Sequence, residues 1–158
     1  MPLRIGDKAP DFSLYSSEKE LINLCDYKGR NVVLLFFPLA FTSTCTKELC
    51  ATRDDMAIYN NMDTEVFAIS TDTPQSLARY KEDNQFTFRL LSDYNKDVIR
   101  AYDVIYEEYS LGMRGVAKRA VFVIDGEGII RHLEVLENAG LMPDLEAIKQ
   151  SLKSLQAA

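Results

Sequence analysis

Cys45 is the residue of this chain best placed for covalent chemistry. It follows Thr42, Ser43 and Thr44, residue types that cap helices, and stands near the first turn of the helix they would start. A thiol there lies over backbone N–H groups without helical partners, at the positive end of the helix dipole. Both features favour the thiolate, the nucleophilic form of sulfur. Thr42 lies three residues earlier, about one helical turn, so its hydroxyl can reach the sulfur or a bound substrate; otherwise it is a plain N-cap. Pro38 would wall the sulfur off from bulk water. Arg119 could add a cation, because it opens the apolar run 120–124. It would sit beside Cys45 if that run pairs with the strand before Cys45, and would otherwise form a surface ion pair at a strand end.

These residues need elements to bring them together. Val32 to Phe37 has the length and β-branched content of a buried strand, which Pro38 ends because it has no N–H for a sheet ladder. A helix is expected from about 43 to 60, with Leu49, Met56 and Tyr59 on its inner face. Upstream, residues 1–12 read as an irregular arm. Residues 12–15 and 21–24 read as a short hairpin around the polar turn 16–20, with Cys25 as a small packing residue at its edge. Downstream come a strand at 65–70 and a helix started by Thr73-Pro74 and running to about Asn84. A strand at 89–92 and a helical segment at 96–102 follow. Residues 103–118 show no period and read as a loop. The run 120–124, a tight Asp125-Gly126-Glu127-Gly128 turn and the run 129–135 form a hairpin. A last helix starts at Pro143-Asp144, with Leu145, Ile148, Leu152 and Leu155 as its apolar stripe. Strands alternating with helices predict an α/β fold, a mixed sheet with helices on both faces. Cys45 then falls at the carboxyl end of a strand, where such sheets do chemistry.

The chain has 158 residues, a length that predicts one domain over 1–158. Its formal net charge of −6 argues against a nucleic-acid surface or an anionic membrane as partner. No apolar run approaches bilayer-spanning length, and residues 1–7 lack the pattern of a signal peptide. Three cysteines do not make a secreted disulfide framework. The expectation is a cytoplasmic protein in a reducing compartment. The lone His132 has no ligand cluster around it in sequence, so no metal site is expected; a hairpin position facing solvent or a partner is its expected place.

The spacing Pro38-x-x-x-Thr42-x-x-Cys45 resembles the active-site signature of the peroxiredoxins. The likeness extends to Gly6-x-x-Ala9-Pro10-Asp11-Phe12, to Val33–Phe37 and to Arg119-x-x-Phe122-x-Ile124-Asp125. It implies a thioredoxin-like fold with an N-terminal hairpin extension. It also implies a thiol peroxidase that reduces hydrogen peroxide and organic hydroperoxides without a cofactor. Cys45 then resembles the peroxidatic cysteine. Thr42 and Arg119 resemble the groups that orient the peroxide, acting as donors with the Cys45 N–H, and Pro38 resembles the shield. Glu48 matches a position that can hold the arginine, or is a solvated carboxylate.

Cys50, five residues after Cys45, resembles the resolving cysteine of the bacterioferritin-comigratory, or Q-type, branch. That likeness implies a Cys45–Cys50 disulfide recycled by a thioredoxin- or glutaredoxin-like reductant. Alternatives are a one-cysteine enzyme using an external thiol, with Cys50 a packing residue, and a redox sensor or holdase triggered at Cys45. Five residues of ideal helix separate Cα atoms by roughly 8.7 Å, beyond the about 7 Å a disulfide tolerates, so the bridge requires the helix to unwind around 43–50. A thioredoxin-type oxidoreductase is excluded, since no Cys-x-x-Cys pair exists. Asp103 and Val121 stand where the family often has Gly and Thr. Monomer and homodimer both remain open.

Overall fold

A computed structural model describes residues 2–156. Its centre is β3 (Asn31–Phe36), where the longest strand-like apolar run was expected. Val32 to Phe36 are all at most 2% exposed, because both faces and both edges of this strand are covered. On one edge β3 pairs in parallel with β4 (Thr64–Ser70), and β4 in parallel with β5 (Arg89–Ser92). On the other edge it pairs antiparallel with β6 (Arg119–Ile124), which pairs antiparallel with β7 (Ile130–Leu136). The N-terminal hairpin, β1 (Ser13–Ser16) and β2 (Leu21–Asn23), adds antiparallel to β5. Among the described residues the sheet order is β2-β1-β5-β4-β3-β6-β7.

Side chains alternate across β3, as strand geometry dictates. Val33 and Leu35 face a layer containing Leu49, Tyr59, Leu77, Ile148 and Leu152. These come from α1 (Ser43–Asp54), α2 (Met56–Asn61), α3 (Pro74–Asn84) and α5 (Leu145–Gln156). Leu34 and Phe36 face a layer built by α4 (Asp97–Ala101), Tyr102 and the N-terminal arm. Helices thus cover both faces, but unequally. The arm is pinned: Tyr102 Oη donates to Pro10 O at 2.7 Å, and Lys8 forms a bridge with Ile129.

The expected helix ends are legible in their caps. Thr73 Oγ1 accepts the Ser76 amide at 3.1 Å, and Asp144 Oδ1 accepts the Ala147 amide at 3.0 Å. Four local expectations differ. The helix over 43–60 breaks at Asp55, whose backbone (φ −99°, ψ 3°) turns its amide to the Thr52 and Arg53 carbonyls. The apolar period runs on through this break and does not reveal it. Residues 103–118 contain a 3-10 turn at Ser110–Gly112 and an antiparallel bridge between Ile105 and Ala117. Cys25 lies exposed on a 3-10 turn, Leu24–Tyr27, rather than packed. His132 is half-buried, its Nε2 out of solvent and without a hydrogen-bond partner among the described residues. Asp103 adopts φ 56°, the left-handed conformation that glycine takes most easily and Asp tolerates.

Candidate active site

The antiparallel pairing of β3 with β6 decides the site. Because the strands run in opposite directions, the first residue of β6 meets the last residues of β3; Phe36 pairs with Ala120. Arg119 therefore emerges where the chain leaves β3 for α1. After Phe37 the chain turns at Pro38, which is buried. Asp72, beyond the carboxyl end of β4, clamps this turn: its Oδ2 accepts the Ala40 amide at 2.9 Å and the Ser70 hydroxyl at 2.7 Å. Phe41 then takes a left-handed φ of 66°, which redirects the chain into the helix. Thr42 occupies the N-cap of α1 with extended backbone, and Cys45 lies in the first turn.

Cys45 is fully buried. Arg119 Nη2 donates to its Sγ at 3.2 Å, Arg119 Nη1 donates to Glu48 Oε2 at 2.8 Å, and Arg119 Nε donates to Ala139 O at 3.0 Å. One planar guanidinium thus spans three partners and fixes its orientation relative to the sulfur. Burial works against its charge, but Cys45 and Glu48 outweigh that and hold Arg119 above its ordinary range. Glu48 is likewise fully buried, and its Oε1 has no partner among the described residues. Burial pushes its carboxyl up to about 7, with Arg119 pulling the other way. Of the two readings of Glu48, a solvated helix face is excluded by its burial, and it holds Arg119.

Thr42 does not cap the helix with its side chain: its hydroxyl donates to Leu39 O at 2.7 Å. Two consequences follow. The first-turn amides of α1 receive no side-chain cap and stay available to an anion or oxyanion. The Thr42 oxygen, its one proton engaged by the Leu39 carbonyl, is not the donor expected of it and instead offers lone pairs to a donor. Thr42, Ser43, Thr44, Arg119, Tyr109 and Gly140 are among the residues lining a cleft of about 470 Å3. Pro38 is buried and is not part of the lining. Cys50 is half-buried on intact α1, with Sγ 3.8 Å from Asn84 Oδ1, and all three cysteines are free.

Sequence reasoning missed three supports. Tyr106 is buried, donates to Leu136 O at 2.7 Å, and accepts the Arg119 amide at 3.4 Å. Ala139 supplies only a carbonyl, and Asp72 only a loop clamp. No local pattern marks them, since each acts through residues far away in sequence.

A buried thiol thus stands at the uncapped start of a helix, facing a buried guanidinium, on the mixed α/β sheet of a thioredoxin-like fold. The chain belongs to the AhpC/TSA family, whose model matches residues 5–133, and within it to the Bcp/Q-type branch of the peroxiredoxins, which are thiol-dependent peroxidases. It is 38% identical over 158 residues to the alkyl hydroperoxide reductase E of Mycobacterium tuberculosis, covering 98% of this chain and 99% of the relative. It is 38% identical over 134 residues to peroxiredoxin Bcp of Escherichia coli, covering 84% and 85%. The crystal structure of peroxidoxin BcpB from Mycobacterium tuberculosis superposes with a TM-score of 0.83 at 29% identity, over 98% of this chain and 97% of that one.

Proposed function

We propose that Cys45 is the peroxidatic nucleophile of this peroxidase, acting in one thioredoxin-like domain within a reducing, cytoplasmic compartment. The single observation that carries the reading is the 3.2 Å hydrogen bond from Arg119 to the buried Cys45 sulfur. That donor is charged, shielded from water and already oriented, so it needs no reorganisation during reaction. A hydroperoxide in the cleft lies against Arg119 and Thr42, which both line it. The Thr42 oxygen accepts the peroxide O–H and turns the O–O axis toward the sulfur. The thiolate then attacks one oxygen in line. The S–O bond forms as the O–O bond breaks, and the electron pair leaves on the second oxygen. Arg119 and the first-turn amides stabilise that charge until a proton converts it to an alcohol or water. Cys45 becomes a sulfenic acid. Pro38, itself buried, keeps bulk water from the sulfur.

Cys50 is the resolving thiol in this reading. Its attack on the sulfenic sulfur forms the Cys45–Cys50 disulfide and releases water, and a thioredoxin-like dithiol returns both thiols with two electrons. Since α1 is intact from Ser43 to Asp54, the bridge requires its first turns to open.

Peroxide consumption coupled to a dithiol reductant tests both assignments. Cys45→Ser is expected to abolish turnover, and wild-type rates in that variant would overturn the nucleophile. Peptide mapping after one equivalent of hydrogen peroxide is expected to yield the Cys45–Cys50 peptide. A stable sulfenic acid instead would make this a one-cysteine enzyme.

A further inference from the structure

One stripe of α1 is held by polar contacts from α3. Thr46, Cys50 and Arg53 stand four and three residues apart and so share a helix face, and each finds a partner in the last turns of α3. Thr46 Oγ1 lies 2.9 Å from Tyr80 Oη. Thr46 already gives its one hydroxyl proton to the Thr42 carbonyl at 2.7 Å, so Tyr80 is the donor. Cys50 Sγ lies 3.8 Å from Asn84 Oδ1, and Arg53 Nη1 donates to Asn84 O at 2.7 Å. The Asn84 side chain is itself fixed, its Nδ2 donating to Tyr80 O at 3.0 Å. Tyr80 is fully buried, with ring contacts to Phe41 at 5.0 Å and Phe86 at 5.3 Å. Neither Tyr80 nor Asn84 lines the cleft.

Reaction with peroxide needs α1 folded, because the helix carries Cys45, its amides and Glu48. Disulfide formation needs α1 open. Cys50 lies between the other two anchors, so the thiol that must travel sits inside the held segment. We infer that Tyr80 and Asn84 form a latch that sets how often α1 opens, and thereby how fast the Cys45 sulfenic acid is resolved. The inference rests on the Cys50 reading above. On opening, the Cys50 thiolate attacks the sulfenic sulfur, the S–S bond forms, the S–O bond breaks, and the departing oxygen leaves as water after taking a proton. While the latch is closed, the sulfenic acid persists, and a second peroxide can convert it to sulfinic acid. Tyr80 and Asn84 are therefore positioning residues for the resolving step.

Tyr80→Phe keeps the ring and removes only the donor, and Asn84→Ala removes the side-chain amide. Two measurements are made on the full chain: amide hydrogen exchange over residues 46–53, and rapid-quench mass spectrometry after one equivalent of hydrogen peroxide. In Tyr80→Phe, both exchange at these amides and disulfide formation should rise about fivefold, the worth of one partly buried hydrogen bond. Sulfenic-acid formation should stay within about twofold of wild type, and the sulfinic fraction at excess peroxide should fall. A merely structural defect would instead speed exchange across β3 as well. Unchanged exchange and unchanged resolution in both variants would overturn the latch. Cys50→Ser separates the two ideas: trapping of the sulfenic acid upholds Cys50 as the resolving thiol. Resolution at the wild-type rate refutes that role, and exchange then decides the latch by itself.

Discussion

Replacing Arg119 with methionine removes three hydrogen bonds at once, to Cys45 at 3.2 Å, Glu48 at 2.8 Å and Ala139 at 3.0 Å, while keeping an unbranched stem in a fully buried site. Two effects should separate. Loss of an oriented donor beside the reacting atoms should slow reaction with peroxide by about 10²–10³-fold. Loss of the cation also strands Glu48, whose Oε1 already lacks a partner among the described residues. A buried carboxylate without its partner costs about 3–5 kcal/mol of stability. Glu48 can escape by taking a proton, since its carboxyl already stands at about 7 and Arg119 is what pulls it down. In the variant its proton affinity rises further. The destabilisation should therefore shrink at pH 6 to the about 1–3 kcal/mol of unsatisfied neutral groups and be largest at pH 9. Adding Glu48→Gln to Arg119→Met should recover much of the stability at pH 9 and none of the activity. Urea unfolding at the two pH values measures the first effect, and competition kinetics against a reference peroxidase measures the second. Recovery of the peroxide rate to within about tenfold of wild type in the double variant would show that Arg119 serves only to neutralise Glu48, and the proposed chemistry would fail.

Two further outcomes follow from the same geometry. Glu48 moves from 4.5 in its ordinary state to about 7 when folded. The folded state thus holds a proton that the unfolded chain releases, so this contribution is complete below about 4.5 and is lost as pH rises through about 7. Wild-type stability relative to Glu48→Gln should fall across that window in urea unfolding, and a flat difference would contradict the assignment. Cys25 lies exposed beside Val32 and Ile124, at the end of β3 and β6 opposite the cleft. Cys25→Ser should leave coupled peroxide turnover and the Cys45–Cys50 peptide unchanged, and loss of either would assign Cys25 a role in the cycle.

The chain by itself determined those features that are written over a few neighbouring residues. The buried run before Pro38, the capping run before Cys45 and the Thr73-Pro74 helix start are all short-range patterns, and the elements they predict formed where expected. The spacing of Pro38, Thr42 and Cys45, with the distant Arg119, carried the family resemblance. Other decisions depended on which strands lie side by side. Arg119 reaches Cys45 only because β6 runs antiparallel to β3, and Glu48 became a buried partner only because Arg119 arrived there. The Thr42 hydroxyl turned to Leu39 because the Asp72 clamp and the left-handed Phe41 set the loop, and neither announces itself in local sequence. The break at Asp55 escaped notice because hydrophobic period survives a change of backbone angle. Residue spacing thus placed Cys45 on its helix. The guanidinium, its carboxylate and the wall of the cleft were brought to it by strand pairing, which acts between residues too far apart in the chain for any local pattern to record.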